Sequence, residues 1–182
     1  MATTKGLSTM RAHERRKVRV PQAVFVLLAF LGFLQARNFA ASMPSVMATH
    51  FGANGSANGW QTRGQFFTVE IVMLGVCLLI GFGVPFIISI APPSMINVPN
   101  KDFWLAPVRR DHTISVMRIQ MAWFACALLT FLIVVNQLVF NANQSVPRHL
   151  NGPQFTIALV AFLGFTAIWT LRLIGYFSKV PA

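Results

Sequence analysis

The sequence predicts an all-α fold: a polytopic membrane protein with four transmembrane helices and both termini in the cytoplasm. Three observations lead there. Hydrophobic residues make up 55% and charged residues only 10% of the 182, a balance that leaves a soluble chain of this length short of polar surface. Four apolar runs, at about residues 21–42, 66–90, 121–140 and 155–174, are each near the roughly 20 helical residues that cross a hydrocarbon core. Helix is the form such runs must take, because lipid offers an isolated backbone no hydrogen-bond partners. Finally, Lys and Arg divide 12 to 3 between alternate sides of those runs, which places the richer side inside.

Residues 1–19 read as a cytoplasmic basic tail, with Lys5, Arg11, Arg15, Arg16, Lys17 and Arg19 opposed only by Glu14. The remainder, 20–182, reads as a single membrane domain. Pro21 suits the first turn of helix 1, where its missing donor costs nothing. The small residues around Ala41 faintly resemble a signal-cleavage site, but the run reads better as an uncleaved anchor with Arg37 snorkelling to the far interface. The outer loop, 43–65, is rich in Gly, Asn, Ser and Ala. Its Asn54-Gly55 and Asn58-Gly59 pairs are turn signals, and Trp60 is placed as an interfacial anchor. In helix 2 the residues Gly75, Gly81, Gly83 and Pro85 predict a kink or a close packing contact. Pro92-Pro93 ends it. A cytoplasmic loop, 91–118, leads to helix 3, a short outer loop, 141–153, carries Arg148 and His149, and helix 4 closes with Arg172, Tyr176 and Lys179.

The net charge of +11 lies between apolar runs, as topology demands, and lacks the interleaved aromatics of a nucleic-acid platform. Partners are therefore expected to be the lipid bilayer and a membrane protein, not nucleic acid; the oligomeric state is not indicated. With only 4 Asp and Glu in the chain, no Gly-Xaa-Ser-Xaa-Gly turn and no phosphate-cradling loop, the expectation is a non-enzymatic protein with no cofactor. His50 and His149 share the outer side, yet only Glu70 is a near acid, too few ligands for a metal. Cys77 and Cys126 fall inside apolar runs and read as packing groups.

Two places ask for explanation. Glu70 lies within helix 2, where an ionised carboxylate must be paired, protonated or wet. Either it is an interfacial carboxylate satisfied by Arg63, Arg37, Trp60 and water, or it serves an ion or proton site. Antiparallel helices bring it level with Asn136 and Gln137, so a hydrogen bond to one of these is predicted. The cytoplasmic segment Asn97, Pro99, Asn100, Lys101, Phe103, Trp104, Pro107, Arg109 and Arg110 frames an aromatic pair with prolines and bases. It reads as an amphipathic turn, either laying Phe103, Trp104 and Leu105 among lipid headgroups or forming a docking surface for a partner subunit.

The outer-loop pattern Pro44, His50-Phe51, Gly55 and Asn58-Gly59-Trp60 resembles that of the bacterial integral-membrane family of domain of unknown function 1648. The segment 96–107, with Arg109-Arg110 behind it, is similar to one seen in that family's four-helix subgroup. The same outer-loop domain occurs in larger immunity proteins against the sporulation-delaying toxin, so the resemblance implies toxin resistance or signalling. It transfers no catalytic residue. The expected function is that of a small bacterial inner-membrane protein acting through protein–protein interaction, as an accessory subunit of a larger assembly. The alternatives are an immunity-like binder of a toxin or ligand at the outer loop, or a small ion- or proton-handling protein using Glu70.

Overall fold

The computed structural model describes the backbone of residues 2–180 and the side chains of residues 19–180. The chain is mostly helical, and four of its helices are long and apolar enough to cross a membrane. In order come α1 (Ala2–Ser42), β1 (Val46–Phe51), β2 (Ala57–Thr62) and α2 (Arg63–Leu78), which continues through a π turn (Leu79–Gly83) into α3 (Val84–Ile90). A 3-10 turn (Pro93–Met95) and the short α4 (Lys101–Trp104) lead to α5 (Pro107–Gln144) and α6 (Gly152–Ser178).

The helix expected over 21–42 extends further toward the N-terminus, so Pro21 is inside α1 and not in its first turn. Pro21 is fully buried, and its carbonyl accepts a weak hydrogen bond from Cys126 Sγ at 3.4 Å. The basic side chains before Arg19 lie outside the described residues. A second correction concerns the cytoplasmic loop: α5 begins at Pro107, so the connection 91–118 shrinks to 91–106. Proline at the start of a helix has no donor to lose there, and the helix extends well before its apolar run.

The segment 43–65, expected as an outer loop of an all-α chain, contains regular strand structure. β1 and β2 form a two-stranded antiparallel hairpin pairing Val46 with Thr62 and Phe51 with Ala57. Gly55, at φ 80°, makes the turn, a left-handed conformation that a Cβ would strain. Thr62 both ends β2 and caps α2: its side chain accepts from Gln65 N while Gln65 Oε1 accepts from Thr62 N, a reciprocal capping box.

α5 is the axis. It contacts α1, α2, the π turn, α3, α6 and β1, and three buried clusters are arranged along it. Met117 joins Ile96, Trp104, Leu105 and Phe177 at one end. Ala125, Cys126 and Leu129 meet Phe25 and Cys77 in the middle. Val139 meets Phe39, Met43, Met47 and Phe66 beneath the hairpin. The glycines of the second span act where the sequence placed them: a Cβ on Gly81 would stand 2.9 Å from Ala125 Cβ, so its absence permits the close approach. Pro85 cannot donate to a carbonyl one turn back, and the π turn over Leu79–Gly83 lies just before it. α6 attaches to α5 through an aromatic seam, Phe124 to Trp169 at 4.7 Å and Phe131 to Phe162 at 4.8 Å.

Candidate functional site

Glu70 stands half-buried on α2, and its carboxylate accepts a hydrogen bond from Asn136 Nδ2 on α5. The contact follows from depth: each residue is less than two turns from the hairpin end of its apolar run. Gln137, the other candidate, is engaged elsewhere, accepting from Gln35 Nε2 at 3.2 Å and donating to Asn141 Oδ1 at 3.0 Å. Gln35 also donates to Ile133 O at 3.0 Å. α1 and α5 are thus stitched by amide groups at the level of Glu70, as polar side chains often join helices in an apolar setting.

None of the basic residues expected to satisfy Glu70 does so. Arg63 turns the other way, donating from Nη1 to Ala40 O at 2.9 Å and Met43 O at 3.4 Å, and so serves the unpaired carbonyls at the end of α1. Trp60 stacks under Arg148, with the guanidinium carbon 5.0 Å from the ring centroid. Arg37 borders the same cavity as Glu70 without pairing with it. That cavity, of about 430 Å³, lies between α1, α2 and α5 and is lined chiefly by apolar side chains, among them Gly32, Phe39, Phe67, Leu74 and Ile133.

Above it the outer-loop motif and the last connection form one cap. His149 Nε2 donates to Asn54 O at 2.8 Å, and Leu150 N to Gly55 O at 2.9 Å. Gly55 is indispensable to this contact, since a Cβ would come within 2.5 Å of His149 Cε1. Gly59 faces His50 across the ladder, where a Cβ would meet His50 Cβ at 2.7 Å. His50 Nδ1 bonds Asn58 Oδ1. Both histidines are therefore committed to loop contacts, and no group of three His, Cys, Asp or Glu side chains gathers among the described residues.

Asn143 fixes the cap to the helices. Its Oδ1 accepts from Ala48 N at 2.8 Å, while Nδ2 donates to Ala48 O at 2.8 Å and to Val139 O at 2.9 Å. Sequence reasoning missed the roles of Asn143 and Gln35. Asn143 and Gln35 lie within two turns of the ends of their helices, and nothing local distinguishes a solvated amide there from one that meets a strand or another helix.

The segment 97–110 departs from the expectation of a surface. Trp104 and Leu105, each 5% exposed, point inward, so they face neither headgroups nor a partner. Trp104 Nε1 donates to Phe177 O at 2.8 Å, and Asn100 Nδ2 to Phe177 O and Ser178 O at 3.1 and 3.0 Å. Asn100 adopts φ 51°, a left-handed geometry that asparagine tolerates. Arg110 Nη2 donates to Ala91 O at 2.7 Å and Ser89 O at 3.2 Å. Polar members of the motif thus satisfy the terminal carbonyls of α3 and α6. Arg109 lies over Phe103, 3.9 Å from its centroid; Asn97, Pro99, Lys101 and Pro107 remain exposed.

Fold and site together define a mostly helical chain with four candidate membrane spans, a hairpin cap, and a polar pair bordering an apolar groove. Comparison of the chain with protein-family models, curated proteins and solved structures finds no match.

Proposed function

We propose that the chain is a non-enzymatic, multi-pass protein of the bacterial cytoplasmic membrane, N-in and C-in, that acts through protein–protein interaction as an accessory subunit of a larger membrane assembly. The observation that carries this reading is the cap. Trp60 is 50% and Val146 99% exposed, and both border one hollow with Pro147, Arg148 and His149 beyond the helix ends. Lipid chains account for apolar faces along the four spans, but not for apolar side chains on a cap outside them. Trp and Arg are the residues that most often anchor protein interfaces, and a surface already ordered by Asn143 and His149 loses little entropy on docking. The resemblance of the outer-loop motif favours a second occupant of the same surface, a toxin or other peptide ligand as bound by immunity proteins.

Native purification in mild detergent, followed by mass spectrometry, tests the reading. A stoichiometric membrane-protein companion is expected with the unaltered chain and is lost with Trp60→Ala and Val146→Asp. Recovery of a lone monomer or homodimer refutes the subunit reading. Orientation is tested with an impermeant maleimide: Val146→Cys is labelled in intact cells, Lys101→Cys only after permeabilisation. The native Cys77 and Cys126 are buried and give little background.

A further inference from the structure

We infer that the groove between α1, α2 and α5 binds one phospholipid with a zwitterionic headgroup ending in a primary ammonium. In this site the ammonium donates to Glu70, the phosphate meets Arg37, and an acyl chain fills the apolar cavity. This goes beyond the interaction proposed for the cap and does not depend on it.

Four observations converge. The first is shape: α1 and α2 each pack on α5 and touch one another little, leaving a groove with α5 as its floor. Phe33 and Ile71 line the cavity and are also largely exposed on the outer surface, so it opens sideways, toward lipid. Second, its volume of about 430 Å³ is that of a small-molecule site, and its walls are almost wholly apolar.

Third, charge is present at one end only. Glu70 and Arg37 border the cavity, no ion pair joins them, and among the described residues Arg37 has no hydrogen-bond partner. Asn136 is the single hydrogen-bond partner of the Glu70 carboxylate, and a carboxylate can accept several. A cation and an anion that share a cavity without pairing suit a ligand carrying both opposite charges. Fourth, depth agrees. Arg37 precedes the end of α1 by five residues and Glu70 follows the start of α2 by seven, about 7 and 10 Å along the helices. With the bilayer boundary near those helix ends, that is where headgroup gives way to chain.

The experiment uses the full chain in mild detergent, titrated with phosphatidylethanolamine, phosphatidylcholine or phosphatidylglycerol of identical acyl chains and read by native mass spectrometry. One phosphatidylethanolamine per chain is expected, held about tenfold more tightly than phosphatidylcholine, whose quaternary nitrogen cannot donate. Phosphatidylglycerol, which lacks the cation, is expected to bind as weakly. Glu70→Gln still offers Asn136 an acceptor but removes the charge, and is expected to bring phosphatidylethanolamine down to the level of phosphatidylcholine. Ala36→Phe places a ring in the groove with Glu70 intact and is expected to abolish the adduct. Equal retention of the three lipids, preference for phosphatidylglycerol, or wild-type retention in the folded variants overturns the inference. Should Glu70→Gln fail to fold, Ala36→Phe and the lipid series decide.

Discussion

Asn143 is the side chain through which the hairpin is held, and its replacement gives the sharpest test of how the cap is built. Asn143→Leu keeps the branching and the number of side-chain heavy atoms but leaves Ala48 N–H and C=O, on a residue with no exposed surface, without the amide that meets both. An orphaned buried group costs about 1–3 kcal/mol, so two cost about 2–6 kcal/mol, toward the lower figure where water replaces the amide. The Val139 carbonyl, inside α5, loses only an additional donor. The penalty falls on docking of the hairpin, so the assay is local: hydrogen exchange of the β1 and β2 amides in detergent. A loss of about 2 kcal/mol corresponds to roughly thirtyfold faster exchange through local opening. Asn143→Ala adds a void and is expected to be faster still. Amides near Ala125 in the middle of α5 serve as control and stay protected. Hairpin exchange within about threefold of wild type in both variants would refute the account.

Gly55→Ala meets a left-handed backbone and the ring of His149 together; about 1–2 kcal/mol of backbone strain alone is expected, seen as faster exchange at Leu150, whose amide donates to Gly55. Trp104→Phe removes the indole bond to Phe177 O and is expected to cost about 1 kcal/mol, while Trp104→Ala costs about 3–5 kcal/mol; unfolding in detergent measures both, and an unperturbed Trp104→Ala would contradict an inward-facing indole. Gly81→Leu forces a side chain into Ala125 and is expected to lower the unfolding temperature, whereas Gly164→Leu, with open space around it, leaves it nearly unchanged. Equal effects at the two glycines would show that the approach of the π turn to α5 is not close.

The sequence by itself determined the four long apolar helices, because each run is long enough to span and because lipid and protein interior alike leave its backbone no other way to bond. It also narrowed the partner of Glu70 to Asn136 or Gln137, since residues at one depth of antiparallel helices have few other polar neighbours; only the structure selects Asn136. Gly81 and Pro85 announced a close contact and an irregular turn for reasons local to their side chains. What the sequence did not decide was direction. Trp104 and Arg110 have the composition of a surface, and only the arrival of the last turn of α6 and the end of α3 turns them into caps. The hairpin was hidden for the same reason: Ala57, Asn58 and Gly59 carry weak strand propensity, and the pairing depends on Asn143, which reaches β1 from a helix 95 residues away in the chain. Helix content follows from forces between near neighbours; the cap and the groove follow from contacts that form only once α5 has gathered the other helices around it.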